Sequence, residues 1–220
     1  MDGSLAGAAR RFRAAVWLCA LAAAPAWAAN EPAVRHGDGP ALWQADWPAD
    51  GPADWRVAQD ASRIDLDMVV NGRARTGRLR AFSGRGAFDP AAPERSALEL
   101  VLDLRAVDMG SAAASALARS GDWFAVARHP EGRFRLDGLA PLADGRWRAE
   151  GTLRLRGVTR PMAAELSLTV DAAEARVVGE AVVAPAEFGI GGGPTGLLVR
   201  LGPEIRVRFD LRALRDGPAP

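Results

Sequence analysis

The segment at residues 146–168, RWRAEGTLRLRGVTRPMAAELSL, decides the fold class of this chain. Between 146 and 156, charged or polar side chains alternate with Trp, Ala, Gly and Leu. A period of two residues is typical of a β-strand that buries one face and exposes the other to water. Gly157 interrupts this pattern, and a second alternation follows Pro161. We therefore predict two strands joined by a short glycine-containing turn, which is an antiparallel hairpin.

The same alternation recurs along the chain and predicts further strands. The segments that show it are 63–70, 78–89, 98–104, 133–137, 175–183 and 205–212. Asn71-Gly72 follows the first of these segments and is a strong signal for a hairpin turn. In the second segment Leu79 and Phe82 have opposite parity, so we predict a β-bulge or a sharp bend there.

The period changes at 111–120, where SAAASALARS predicts a short helix with Ser111 as its N-cap. The segment GIGGGPTG at 189–196 predicts a flexible loop. About eight strands and one short helix indicate an all-β, up-and-down antiparallel barrel. A barrel of eight strands either fills itself with side chains or holds one small ligand.

The N-terminus has the pattern of an export signal. Arginines between 10 and 13 precede an apolar run at 14–24, and Ala-Trp-Ala at 26–28 resembles a cleavage site. We therefore expect an exported, periplasmic protein. The predicted organisation is a signal peptide at 1–28, a flexible Ala/Pro/Gly-rich linker at 29–54, a barrel domain at 55–214 and a tail at 215–220.

Composition gives little support for catalysis or for nucleic-acid binding. The formal net charge is +1, which gives no reason to expect an anionic partner such as nucleic acid. The two histidines, His36 and His129, lie in the linker and beside a proline, and the single cysteine, Cys19, lies in the apolar run of the signal. No spacing suggests a metal site, and Gly191 to Gly193 lack the following helix and lysine of a phosphate-binding loop. We expect no enzyme activity and no metal.

The apolar inner face is the candidate binding site, since ligand pockets have mostly apolar walls. The predicted lumen-lining residues are Met68, Leu79, Phe82, Phe88, Leu100, Trp123, Phe124, Phe134, Trp147, Leu153 and Leu155. For any one of them, packing in the core is the simpler explanation. Trp123-Phe124 is interpreted either as a lid over the barrel mouth or as a plug that closes it.

Four motifs in the same order resemble the YceI-like family of exported lipid- or polyisoprenoid-binding proteins. They are EGTLRLRGVTRP at 150–161, the glycine- and phenylalanine-containing segment 77–90, GDWFAVARHP at 121–130 and AEFGI at 186–190. The resemblance covers residues 55 to about 213. It implies a lipocalin-like eight-stranded barrel, soluble in the periplasm, with a long isoprenoid chain in its lumen.

The chain departs from this family pattern at two places. Ala61-Ser62 stands where members usually have His-Ser, and the helix reads SALAR at 115–119 where they carry R-D-x-H-L. The polar cluster that those residues form near the pocket mouth is therefore absent here.

The functional hypothesis is a soluble periplasmic carrier or sequestering protein for an isoprenoid- or quinone-like lipid, with no other cofactor. One alternative is a scaffold or stress-response interaction module without a bound lipid. A small outer-membrane barrel is a weaker alternative, because the chain has no tyrosine for an aromatic girdle. A membrane cytochrome or other envelope partner, and a homodimer, are the candidate protein partners.

Overall fold

The computed structural model describes residues 54–88, 93–171 and 173–215. The predicted signal peptide, the predicted linker up to residue 53 and the predicted tail from residue 216 lie outside these described residues. Asp54 and Arg215, assigned above to linker and tail, are the outer residues of strands. Each lies one residue outside the predicted domain at 55–214 and beyond the segments that alternate, so the pattern did not mark these ends.

The described residues form eleven β-strands and two α-helices. The strands are β1 (Asp54–Val57), β2 (Arg63–Val70), β3 (Arg73–Leu79), β4 (Phe82–Ala87), β5 (Ala97–Asp103), β6 (Val107–Asp108), β7 (Glu131–Pro141), β8 (Trp147–Leu155), β9 (Val158–Val170), β10 (Glu174–Val183) and β11 (Leu201–Arg215). The helices are α1 (Ala112–Arg119) and α2 (Gly193–Leu198), and four short 3-10 turns lie between strands.

These strands close into an eight-stranded antiparallel barrel. The ring runs β1-β4-β5-β7-β8-β9-β10-β11 and returns from β11 to β1. β1 and β2 pair with successive parts of β11, while β3 and β4 pair with β2 and β1 respectively. β1 with β2, and β3 with β4, are thus the halves of two long bent strands. The predicted all-β, lipocalin-like barrel is confirmed.

The second bent strand explains the parity conflict between Leu79 and Phe82. The break between β3 and β4 falls at Arg80 and Ala81, between these two residues. Both side chains are buried on the inner side of the wall. The predicted sharp bend therefore exists and lets two residues of opposite parity face the same core.

The hairpin that decides the fold class is formed by β8 and β9. Leu155 pairs with Val158 across a two-residue turn in which Arg156 has φ 50° and Gly157 φ 78°. Positive φ at both turn positions is the geometry whose twist matches that of the flanking strands. Pro161 is tolerated within β9 because β10 pairs with β9 only from residue 164 onward.

The first helix agrees with the sequence prediction, whereas the second helix was not predicted. Ser111 caps α1 as predicted, because its Oγ accepts a hydrogen bond from the Ala114 amide at 3.2 Å. The predicted flexible loop at 189–196 is wrong for its second half, where α2 begins at Gly193. The reason is tertiary: the Asp122 carboxylate accepts hydrogen bonds from the Thr195 amide and hydroxyl at 3.0 and 2.5 Å. This contact adds a second short helix to the one predicted.

Candidate functional site: an apolar lumen

The barrel encloses a cavity of about 210 Å³ that extends along its interior. Phe124 and Ile190 line the cavity at the end near α1, and Trp55 and Ala213 line it near the closure of β1 with β11. Only Trp55 and Ser96, among the residues of its wall, carry a nitrogen or oxygen atom in the side chain. Such a wall suits a hydrocarbon and offers a polar ligand few partners.

Seven of the predicted lining residues form part of this wall. They are Leu79, Phe88, Leu100, Phe124, Phe134, Leu153 and Leu155. Several come from neighbouring strands at matched register: Leu100 pairs with Phe134, and Phe134 pairs with Leu153. Because the strands are in register, the residues that alternation places on the inner side of each strand form one common inner surface. That these residues contact a ligand stays a prediction.

The other four predicted lining residues lie outside the cavity wall. Met68, Phe82 and Trp123 are buried in the hydrophobic core, whereas Trp147 is partly buried against it. Alternation predicts that a residue facing inward is buried. Whether that residue also borders the cavity depends on how its strand bends. The positions of Met68, Phe82 and Trp123 therefore agree with the alternative explanation, that they pack in the core.

Sequence reasoning missed Trp55 and Ser96 as wall residues. Trp55 lies in β1, a strand of four residues that is too short to show alternation. Ser96 precedes β5 by one residue and follows a short 3-10 turn. A lone serine beside a turn carries no signal of burial, because turn serines are commonly exposed.

The cavity end near α1 is closed by packed side chains and a set of hydrogen bonds. Trp123 and Phe124 are both buried, which supports the interpretation as a plug. The Arg156 guanidinium in the β8–β9 turn donates to the backbone oxygens of Gly121, at 3.1 Å, and of Gly189. Three of the four motifs quoted above, at 150–161, 121–130 and 186–190, thus meet at this end.

The opposite end carries an aromatic pair. The rings of Phe88 and Trp147 are arranged edge to face, with centroids 6.2 Å apart. Phe88 follows β4 and Trp147 begins β8, and these strands are separated in the ring by β5 and β7. The pair therefore reaches across the wall at the end where Trp55 lies.

The outer face of the barrel is charged, in contrast to the lumen. Arg208 of β11 pairs with Asp67 of β2 at 2.5 Å, and Arg176 of β10 pairs with Asp210 of β11 at 2.7 Å. Oppositely charged neighbours on adjacent strands stabilise the pairing modestly. Asp65 is the one charged residue that is buried among the described residues, and Arg63 and Arg78 both contact it. Burial raises the pKa of Asp65, but the hydrogen bonds from Arg78 and Arg63 outweigh that effect and hold it below the ordinary value.

No group of three or more His, Cys, Asp or Glu side chains in the described part of the chain could hold a metal ion. His129 lies beside Gly157 of the hairpin turn. Within the same ranges no helix has the length and hydropathy needed to span a membrane.

Comparison with protein families finds one domain that covers most of the barrel. The YceI-like domain model matches residues 55–213. A UPF0312 protein of Azotobacter vinelandii is 35% identical over 86 residues, which are 39% of this chain and 45% of that protein. A UPF0312 protein of Vibrio parahaemolyticus is 30% identical over 89 residues, 40% and 47% of the two chains. The chain thus spans about half the length of these curated relatives.

Solved structures share the fold at low sequence identity. BcnA of Burkholderia cenocepacia superposes with a TM-score of 0.66 at 19% identity, covering 71% of this chain and 98% of that one. A polyisoprenoid binding domain from Saccharophagus degradans, implicated in plant cell wall breakdown, has a TM-score of 0.60 at 18% identity, with 74% and 98% covered. At these identities the likeness concerns the fold alone.

Proposed function

The chain belongs to the YceI-like family, and from that membership we propose that it is a water-soluble barrel protein that holds one isoprenoid-like lipid chain in its lumen. The observation that carries the proposal is the continuous apolar cavity between the Phe124 end and the Trp55 end. The Saccharophagus degradans domain of the same fold, described as polyisoprenoid-binding, supports the ligand class.

The size of the cavity favours a slender ligand. A dry apolar cavity of about 150 Å³ is enough for benzene, whereas pockets for drug-sized molecules reach about 300–1,000 Å³. The volume of the lumen, about 210 Å³, lies between these values, and its lining residues extend from one end of the barrel to the other. A single hydrocarbon chain fits this shape better than a fused ring system. Each buried methylene contributes about 0.8 kcal/mol, so a chain binds without specific polar contacts.

The distribution of charge supports a protein that works in water. Ion pairs such as Arg208–Asp67 lie on the outer wall, and apolar side chains line the cavity. A membrane-spanning barrel has the reverse arrangement, with an apolar outer band around a polar interior. The export pattern at 1–28 supports the periplasm as its location, where the protein carries or sequesters its lipid without catalysis.

The experiment that tests this function compares two tryptophan substitutions. Leu153→Trp places a large ring in the cavity wall, whereas Val178→Trp places it on the exposed face of β10. We expect lipid extracted from the purified protein, measured by mass spectrometry, to be lost in the first variant and retained in the second. A wild-type protein that yields no stoichiometric lipid and takes up no isoprenoid added in vitro would contradict the proposal.

A second candidate function, binding of an envelope protein, is favoured by two exposed side chains. Leu197 and Leu198 on α2 are 83% and 81% exposed. Adjacent large apolar side chains at such exposure commonly belong to interaction surfaces. A membrane cytochrome or a second copy of this chain is the proposed partner, at the end of the barrel that Phe124 closes.

Binding by this surface is separable from lipid binding. If the interaction is the function, Leu197→Ser with Leu198→Ser abolishes cross-linking to the partner or to a second copy, while Leu153→Trp leaves it intact. If cross-linking instead depends on Leu153 and not on α2, the lumen carries the function.

A further inference from the structure

The end of the barrel that Phe124 closes exposes two large apolar side chains. Leu197 and Leu198 end α2, and their side chains are 83% and 81% exposed. The residues that follow, Val199 and Leu201, are partly buried against the hydrophobic core. The chain is therefore fixed to the barrel directly after the two leucines, and this holds the leucines at a defined place on the surface.

The β2–β3 hairpin lies beside these leucines. Asn71 begins the hairpin turn, and the Asn71 Oδ1 accepts a hydrogen bond from the Arg200 amide at 2.8 Å. In return, the Asn71 amide donates to the Arg200 carbonyl oxygen at 2.9 Å. Segments 69–76 and 197–204 thus form one continuous surface, which we call the hairpin–α2 tip.

The charge of the hairpin–α2 tip is positive. Arg73 and Arg75 on β3 and Arg200 after α2 are exposed, and none of the three forms an ion pair with a described residue. Glu204 is the one carboxylate within the two segments, so three arginines and one carboxylate give the tip a net charge of +2. Arginines on the barrel wall, by contrast, commonly pair with carboxylates on neighbouring strands. The tip therefore presents guanidinium groups to an anionic partner.

The combination of exposed leucines and unpaired arginines matches the surface of an anionic bilayer. Apolar side chains of peripheral proteins enter the boundary between headgroups and acyl chains, and stable binding commonly requires a basic patch as well. Basic side chains near such a surface are attracted to its anionic lipids. A protein partner would need an apolar pocket bordered by carboxylates to satisfy both groups, whereas an anionic bilayer supplies both features over its whole surface.

We propose that the hairpin–α2 tip docks on the surface of an anionic phospholipid bilayer. Leu197 and Leu198 enter the boundary between headgroups and acyl chains, and the arginines bind lipid phosphates. The proposal goes beyond the lipid-binding function and does not depend on it, because no residue of the tip lines the cavity. Ile190, which does line the cavity, precedes α2 by three residues, so docking places the Phe124 end of the lumen against the bilayer.

The test measures co-sedimentation of the full chain with two kinds of vesicle: phosphatidylcholine alone, and equal parts of phosphatidylcholine and phosphatidylglycerol. We expect the wild type to bind the anionic vesicles and to be released from them by high salt, because salt screens exposed charges. We expect weak binding to phosphatidylcholine vesicles at either salt concentration.

A first pair of variants tests the charges. Arg73→Gln with Arg75→Gln should weaken binding to the anionic vesicles by about fivefold for each arginine, or about 25-fold for the pair. The control is Arg85→Gln with Arg95→Gln, which removes the same charge from two exposed arginines outside the tip. The control should bind like the wild type.

A second pair of variants tests the leucines. Leu197→Ser with Leu198→Ser should weaken binding to the anionic vesicles by about tenfold or more, because two large apolar side chains no longer leave water. Val178→Ser with Val182→Ser is the control, since these side chains on β10 are also exposed, by 40% and 47%, but lie outside the tip. This control should bind like the wild type.

Three results would overturn the proposal. The first is equal binding of the wild type to both kinds of vesicle, and the second is an equal loss in tip and control variants. The third is a wild type that ignores vesicles but whose cross-linking to an envelope protein is lost in Leu197→Ser with Leu198→Ser, which identifies the tip as a protein interface. Mass spectrometry of lipid extracted from that variant tests the lumen separately. Retained lumen lipid leaves the proposed function intact when docking fails, and docking of a protein without lumen lipid leaves the tip intact when the proposed function fails.

Discussion

Asp65 is the residue whose ionisation contributes most clearly to the stability of the wall. It lies on the outer face of β2 with a side chain 8% exposed, and its carboxylate contacts Arg63 Nε at 2.5 Å and Arg78 Nε at 2.9 Å. The two arginines are partly exposed, so water weakens their attraction to the carboxylate. The buried carboxylate nevertheless depends on them, because it has little contact with water of its own.

We predict that Asp65→Asn lowers the free energy of unfolding at pH 7 by about 1–2 kcal/mol, measured by urea denaturation. The pKa of Asp65 is lower in the folded than in the unfolded state, so its contribution is present above the unfolded value of 3.8. It is lost as the pH falls through the lower, folded pKa. The difference between wild type and variant should therefore vanish in strong acid. Asp137→Asn, at an exposed ion pair of 3.6 Å with Arg135, is the control and should change stability little.

Ser96 and Trp55 show the limits of prediction at the scale of single residues. Each looks unremarkable in the sequence, one as a turn serine and one as the first aromatic of a strand. Each has a polar side-chain atom that is buried without a partner among the described residues, which is a property of the folded environment alone.

At the scale of elements, β7 and β8 approach so closely that Gly151 leaves no room for a side chain. A Cβ at this position would meet the carbonyl oxygen of Arg135 and, at 2.9 and 3.0 Å, the ring of Phe134. We predict that Gly151→Ala destabilises the barrel by about 1–3 kcal/mol, because backbone or ring must shift. Thermal unfolding measures this loss. Gly138→Ala in β7 serves as control, since nothing lies within 4 Å of its added Cβ, and an equal loss in both variants would refute the steric explanation.

The helix α2 depends on the loop after α1 for its position. The Asp122 carboxylate binds Thr195, and the pKa of Asp122 is lowered by the hydrogen bonds from the Thr195 hydroxyl and amide. We predict that Asp122→Ala accelerates hydrogen exchange of the α2 amides while the exchange of β8 and β9 stays unchanged. Asp144→Ala removes a carboxylate that accepts from the Arg146 amide in the β7–β8 turn, and it should leave α2 as in the wild type.

At the scale of the whole molecule, an enclosed apolar cavity couples stability to occupancy. A ligand present at about 100 times its Kd stabilises the folded state by about 2.7 kcal/mol, which raises Tm by about 5–10 °C for a domain of this size. We predict this rise when a geranylgeranyl lipid is added to delipidated protein, measured by differential scanning calorimetry. Leu153→Trp should abolish the rise because the ring occupies the cavity, whereas Val178→Trp should retain it.

The alternating pattern was sufficient for the fold class and, in β8, for which side chains face inward. In β8 the residues predicted to face inward are buried or partly buried, and the predicted short glycine-containing turn is present at 156–157. These features are local, since they depend on period-two geometry and on the left-handed preference of a turn. Even the bend between β3 and β4 was visible as a break in parity.

Other features were decided by tertiary structure alone. Met68, Phe82, Trp123 and Trp147 share the apolar character of the wall residues, but the course of the bent strands places them away from the open cavity. The helix α2 formed because Asp122, more than seventy positions earlier, reached Thr195. The closure of β1 on β11 places the Arg215 guanidinium over the Trp55 ring. The sequence by itself thus determined which faces are apolar, because that is a local periodicity. Only the closed ring decided what space those faces enclose, because that depends on contacts between residues far apart in the chain.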